Sequence, residues 1–409
     1  MKNYLLLFLI NPLIGILNAL KSNKTKVIQY SLFIYILFIG ATFIVQDGTD
    51  IEHYYTRFAE SHQLWKIQGF DAVFEKFIAS FIDSSELFMP IIILIGSIFS
   101  DSTYLFTFIV SFFVAIAVSN CYKIIRLVYL TNSKPYINYL IICLLFFFGP
   151  AWSINGRFWL TFWFFLYILL KYLNDKKFKT LLYLFPLILI HNGFILAILI
   201  VYLYYSTHQY IWSRNFYIIL IIGSYVFSVF AGELILEYSS LIGGGYEKKA
   251  VTYAKDVVEY QAENNVNIDP SFIVQRNLVL SKILPIILLF SYFYLRKIKD
   301  KKINDFYNFI LLFYSFSVFF YDVPSLGGRY WFILSFITLL FFLYIYYSNF
   351  RMPFLFNYLN FIVLFFCIYV GIRFELVQTS FGIIIGNVFL LPFIQENNMS
   401  MRDFFIYFF

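Results

Sequence analysis

Residues 180–206 read TLLYLFPLILIHNGFILAILIVYLYYS, an apolar run interrupted only at His191-Asn192-Gly193. A helix that crosses a membrane needs about 20 apolar residues. At 27 residues the run is long for one span and short for two. We read it as two short half-helices that meet at His191-Asn192-Gly193. The rest of the chain is of the same kind. Hydrophobic residues make up 61% of the 409 and charged residues 13%, with 55 phenylalanines and 35 tyrosines. A soluble domain could not bury so much apolar surface, because even about 300 residues bury only about three quarters of theirs. That excludes a soluble enzyme. Ten-residue alternating strands are missing, which excludes a membrane barrel. The fold class expected is an all-α polytopic membrane helix bundle.

Further runs of spanning or near-spanning length lie at 4–20, 27–45, 103–121, 136–150, 157–172, 215–236, 271–295, 305–322, 329–347, 354–372 and 376–395. With the split run they make about 11–13 spans in a single integral membrane domain, 1–409. The start, Met1-Lys2-Asn3 before an apolar stretch, imitates a signal peptide. It lacks a small-residue cleavage site and is expected to stay as the first span. No internal repeat or Pro/Ser linker marks a second domain. Cys121, Cys143 and Cys367 sit in apolar runs without ligand spacing, so neither a disulfide framework nor a zinc site is indicated.

Lysines punctuate the spans. Lys21, Lys24 and Lys26 follow the first. Lys123, Arg126 and Lys134 follow the third. Lys171, Lys176, Lys177 and Lys179 mark the next turn, and Arg296, Lys297, Lys299, Lys301 and Lys302 form the densest cluster. The positive-inside rule makes all four connections cytoplasmic. Run 180–206 then crosses an even number of times, with His191 at its outer tip. Segments 46–102 and 237–270 become outer loops, the first rich in acid and holding a re-entrant or interfacial helix at 87–99. The second carries Gly243-Gly244-Gly245 and a polar helical stretch at 246–263.

This orientation leaves arginines on the outer side, against the positive-inside trend: Arg57, Arg157, Arg276, Arg329 and Arg373. Arginine is always charged and grips phosphate oxygens with a planar fork. Several together suit a diphosphate at headgroup level. The alternative for each is an interfacial anchor or a solvated loop charge. His191 has a resting pKa near 6.5, suited to proton transfer; a lone membrane histidine is also often only a hydrogen-bonded bundle residue. Asp50 is the second candidate base, with helix capping as its alternative role. Tyr54, Tyr55 and Trp152 are aromatic faces on which sugar rings could stack. No zinc motif, nucleophile elbow or phosphate-binding loop is present, so neither metal nor cofactor is expected, and no basic block speaks for nucleic acid.

At Asp47-Gly48-Thr49-Asp50 with Tyr54 and Phe58, at Asn155-Gly156-Arg157, at Ile190-His191-Asn192-Gly193-Phe194 and at Gly328-Arg329-Tyr330, the chain resembles the EpsG-like family of Wzy-type polysaccharide polymerases. The motifs are short; their order along most of the chain carries the resemblance. Glu86 and Pro90 are separated here, so the Glu-Pro element of that family matches in part. The resemblance implies a C-type membrane glycosyltransferase, with its active site at the outer (periplasmic) face of the inner membrane. It would act on undecaprenyl-diphosphate-linked oligosaccharides as donor and acceptor, with a chain-length regulator and a flippase of the same pathway as partners. Arg157, Arg276 and Arg329, with Arg373 and Arg57, would hold the diphosphate, and His191 or Asp50 would take the acceptor's proton. A ligase-like transferase and a lipid-linked oligosaccharide flippase are the rival readings.

Overall fold

The computed structural model describes residues 7–408 apart from 47–48, 85, 132–135, 146–148, 209–213, 243–282, 284, 322, 349–353, 386–387 and 397–398. In chain order its helices are α1 (Pro12–Leu20), α2 (Thr25–Ala41), α3 (Asp50–Gln68), α4 (Phe70–Ser84), α5 (Phe88–Gly96), α6 (Thr103–Ile124), α7 (Tyr136–Leu145), α8 (Pro150–Asn155), α9 (Arg157–Asp175), α10 (Phe178–Leu182), α11 (Pro186–Ile190), α12 (Ile195–Thr207), α13 (Arg214–Phe227), α14 (Ala231–Ile242), α15 (Pro285–Leu295), α16 (Lys301–Phe319), α17 (Pro324–Tyr347), α18 (Phe354–Gln378), α19 (Gly382–Ile385), α20 (Leu391–Glu396) and α21 (Met401–Phe408). No strand is present among the described residues. Four helical stretches are long and apolar enough to cross a membrane: Thr103–Tyr129, Tyr136–Asn155, Asn215–Tyr238 and Gly327–Tyr347. Shorter apolar helices join them at Thr25–Ala41, Phe178–Ile190, Asn192–Thr207 and Pro285–Leu295. An all-helical chain of this composition is compatible with a membrane helix bundle, the solution that satisfies every backbone group without water.

Helix ends follow the sequence locally. Asn11 caps α1 by accepting from the Ile14 amide, with Pro12 in the first turn. Asp300 caps α16 by accepting from Lys302 and Ile303. At the centre lies α9, whose Phe162, Trp163, Phe165, Leu166 and Leu169 are all fully buried. A helix that is apolar all round belongs in the interior. Alongside, α2 packs against α6 so closely that a side chain on Gly40 would collide with Ser111. Thr107 Oγ1 donates to the Gly40 carbonyl at 2.7 Å.

Run 180–206 is broken at His191, which is extended (φ −154°, ψ 114°) between α11 and a short 3₁₀ turn at 192–194. The two arms fold back on one another. Tyr202 of α12 donates to the Leu181 carbonyl of α10, and its ring packs against Phe178 and Phe185. The run is therefore a hairpin, with His191 at the tip and both feet at the same end of the bundle.

All four lysine-bearing connections gather at the feet. Asn138 donates to the Leu20 and Ser22 carbonyls and accepts from Tyr122 and Arg126. Lys302 reaches the Val128 carbonyl and Asn174, and Lys176 pairs with Asp305 at 3.3 Å. Opposite charges cannot account for this grouping, since most of these residues are basic; the helix lengths and turns impose it. The other end carries the tip of the hairpin, the start of α9 and the Gly327–Tyr330 turn of α17.

Segment 50–96 folds as three helices, α3, α4 and α5. At nine residues α5 is too short to cross. On α4, Phe70, Phe74, Ile78 and Ile82 recur every fourth residue and are all exposed. An exposed apolar stripe on a helix that also carries Asp71, Glu75, Lys76 and Asp83 suits one lying in the membrane interface. Run 376–395, expected as one span, is instead the end of α18 followed by α19, a 3₁₀ turn and α20. A bridge between Ser380 and Ser400 pins the break. The outer-loop features at 243–245 and 246–263 lie outside the described residues.

Candidate active site

The site begins at a break between two helices. α8 ends at Asn155, Gly156 is extended (φ −141°, ψ 131°), and α9 starts at Arg157. The N-terminus of α9 is a positive pole, and Arg157 adds a full charge there. Against it lies Glu86, from the turn between α4 and α5, at 1% exposure. Glu86 Oε2 forms an ion pair with Arg157 Nη1. Its Oε1 accepts from His191 Nδ1 at 3.1 Å and from the Asn192 backbone amide at 3.1 Å. The next residue, Leu87, donates its amide to the Leu189 carbonyl at 2.7 Å. One carboxylate thus joins three chain segments that are far apart in sequence. A buried charge needs such pairing to be tolerated.

The partners of His191 define its tautomer. Glu86 accepts at Nδ1, so Nδ1 carries the proton. Nε2 then holds a lone pair, and Arg329 Nη1 faces it at 3.5 Å. Arg329 stands in the second turn of α17, just after Gly327 and Gly328, which are themselves helical. Gly327 lies so near the Phe320 carbonyl that a Cβ there would come within 2.5 Å of its oxygen. The Arg329 guanidinium stacks over Phe158 at 5.2 Å, and Phe158 meets the His191 ring edge-on at 5.7 Å. Tyr330 donates to the Gly193 carbonyl at 3.0 Å, tying α17 to the hairpin tip. Gly193 keeps space beside the imidazole, since a Cβ there would lie 3.0 Å from Nε2.

Tyr54 of α3 lies under the Arg157 guanidinium at 4.8 Å. Burial raises the Tyr54 phenol above its ordinary range, with Arg157 pulling the other way. Asn155 Oδ1 and Arg157 Nε are buried and meet no hydrogen-bond partner among the described residues. Two unmet polar atoms in one helix break are a reservoir for a bound ligand. The break itself is held from α18: Glu375 accepts from the Ala151 and Trp152 amides at 3.1 and 3.0 Å, capping α8.

Of the residues expected from sequence, Arg157, Arg329, His191 and Tyr54 come together. Trp152 lies next to them, edge-on to Trp159 at 5.4 Å. Asp50 is exposed in the first turn of α3, one turn before Tyr54, and touches none of the cluster's polar groups. Tyr55 packs against the apolar core, and Arg57 is exposed on α3. Arg276 lies outside the described residues; Arg373 is in α18, and its side chain is likewise not described. Glu86 and Glu375 were not expected. The signals for Glu86 are its partial match to the Glu-Pro element and its place directly before the apolar stretch 87–96; otherwise many acids in segment 46–102 look alike. Among the described residues no three His, Cys, Asp or Glu side chains converge as metal ligands.

What this arrangement can do is limited and specific. It offers an imidazole oriented by a carboxylate, with two arginines beside it. The net formal charge of Glu86, Arg157 and Arg329 is positive. The site therefore suits an anionic group next to a hydroxyl that must lose a proton. Comparison with protein-family models, curated proteins and solved structures finds no match to this chain.

Proposed function

We propose that the chain is a membrane glycosyltransferase that polymerises undecaprenyl-diphosphate-linked oligosaccharide repeat units, working at the outer face of the cytoplasmic membrane. The observation that carries the reading is the Glu86–His191 pair between Arg157 and Arg329, at the end of the bundle opposite the lysine connections. With those connections on the cytoplasmic side, the pair faces outward.

In this reading the acceptor hydroxyl oxygen attacks the anomeric carbon of the donor. A new C–O bond forms, the bond to the diphosphate breaks, and the lipid diphosphate leaves with the electron pair. His191 Nε2 takes the hydroxyl proton, and Glu86 stabilises the imidazolium that results. Arg329 and the free edge of Arg157 stabilise the charge growing on the leaving diphosphate, the largest effect expected in such chemistry. The carboxylate partner favours His191 over Asp50 as the base. Trp152 and Tyr54 border the sugar side.

The test is a strain lacking this gene, complemented with wild type or with Arg157→Ala, His191→Ala or Arg329→Ala. Surface polysaccharide is resolved by chain length on a gel. The proposal expects loss of the long ladder, with single repeat units still displayed. Intact ladders from all three well-expressed variants would overturn it. Loss of every surface unit, with lipid-linked repeats held inside, would mean a flippase. Long polymer that forms but is not transferred to its final carrier would mean a ligase.

A further inference from the structure

A cavity of about 350 Å³ lies among α3, α4 and α5, beside the Glu86 cluster but separate from it. Its polar wall includes Arg57, Glu60, Lys76 and Asp83, and its apolar wall includes Phe77 and Pro90. None of these takes part in the contacts around His191. The volume falls in the range of small-molecule sites, about 300–1,000 Å³.

We infer that this cavity binds the carbohydrate of the acceptor substrate, an inference that rests on the polymerase reading above. Three features argue for a hydroxyl-rich, uncharged ligand. The formal charges of the four polar residues cancel, so the cavity does not select an anion in the way the Arg157–Arg329 site does. Lys76 and Glu60 already pair at 2.9 Å, and both remain solvent-accessible at 38% and 58%. Donors and acceptors therefore both line the cavity, the combination that sugar hydroxyls require. Phe77 and Pro90 add apolar surface of the kind that the C–H face of a pyranose covers. An acyl chain would leave the charged rim unpaired, and a phosphate would meet Glu60 and Asp83.

Position links the cavity to the reaction. Asp83, in the last turn of α4, and Pro90, in the first turn of α5, lie on either side of the turn that carries Glu86. Arg57 follows Tyr54 by three residues, so the two share a face of α3, and Tyr54 lies under the Arg157 guanidinium. A saccharide seated here has its end directed along α3 toward the groups that surround His191. The apolar stripe of α4 would keep the cavity at the membrane surface, where a lipid-linked sugar emerges. Arg57, expected from sequence as a diphosphate ligand, is thereby reassigned to the sugar.

The experiment uses the full chain purified in nanodiscs. The probe is the free repeat-unit oligosaccharide, released by mild acid from the lipid-linked pool of the strain that carries the gene. Binding is read by saturation-transfer NMR. Ala79 lines the cavity and is exposed, so Ala79→Trp fills the space without disturbing the core. Wild type and Ala79→Ser are expected to bind alike. Ala79→Trp and Arg57→Ala are expected to bind at least tenfold more weakly. Wild-type affinity in Ala79→Trp, equal loss in Ala79→Ser, or no binding by the wild type would each overturn the inference. The two readings fail separately. Saccharide binding that depends on the cavity, together with intact polymer in the Arg157→Ala, His191→Ala and Arg329→Ala strains, would remove the polymerase reading and leave the carbohydrate site. Loss of polymer in Arg157→Ala with cavity-independent binding would do the reverse.

Discussion

Glu86→Gln isolates what the buried carboxylate does, because it keeps the shape and removes the charge. In the wild type Oε1 receives two hydrogen bonds and Oε2 one ion pair, at 1% exposure. Removing one partner of a buried pair costs about 3–5 kcal/mol. Arg157 keeps 17% of its side chain in contact with solvent, which places the loss at the lower end, about 3 kcal/mol. The amide can still accept one hydrogen bond through its oxygen. With its NH₂ group turned to His191 it stabilises the opposite tautomer, with the proton on Nε2, and the base is lost. The comparable change in a catalytic triad costs about ten-thousand-fold; we expect about a thousand- to ten-thousand-fold here, which is about 4–5.5 kcal/mol of barrier. The assay is in vitro polymerisation of lipid-linked repeat units by the purified chain, with the unfolding midpoint measured in parallel. The paired variant Glu86→Gln/Arg157→Gln should recover most of the stability and none of the activity, since removing both partners leaves no orphaned charge. Polymerisation within threefold of wild type by a normally stable Glu86→Gln would refute the reasoning.

Gly193→Ala places a methyl group 3.0 Å from His191 Nε2. We expect polymer synthesis to fall at least tenfold with the unfolding midpoint nearly unchanged, checked by the same two measurements. Lys176, at the lysine end, is held below its ordinary pKa of 10.5 by burial, with Asp305 pulling it back up. Between a lowered folded value and 10.5 the unfolded chain binds more protons, so this lysine's contribution to stability rises with pH and is complete above 10.5. Lys176→Met should lack that slope. The difference in unfolding midpoint should therefore move in favour of the wild type between neutral and alkaline pH, with polymerisation unaffected at pH 7.

Much of the architecture is legible in one dimension. Burial in lipid or in a membrane bundle demands apolar residues in long runs, and those runs mark most of the apolar helices, though not the polar helix α3. The break at His191-Asn192-Gly193 is legible too, because a polar triplet with a glycine interrupts an otherwise continuous run. The grouping of the lysine connections at one end is legible from the positive-inside rule, and the hairpin at 180–206 returns the chain to that end. Arg157 and Arg329 stand out as cations at helix starts. Run 376–395 departs from the one span expected; Gly382, Gly386-Asn387 and Pro392 disfavour a continuous helix there, and the Ser380–Ser400 bridge holds the break.

The site itself divides in the same way. Sequence supplied the cations, the imidazole and the helix break, since those residue types are rare in apolar surroundings. It could not choose among acids in segment 46–102, because every one of them has the same chemistry and most are solvated. Only packing selects Glu86, by bringing the start of α5 against residues 71 and 105 positions further along the chain. Packing likewise leaves Asp50 in solvent at a helix start, turns Arg57 toward a separate cavity and sets Glu375 under α8. Residue type is decided locally, but partnership requires proximity across distant segments, and only the folded chain determines that.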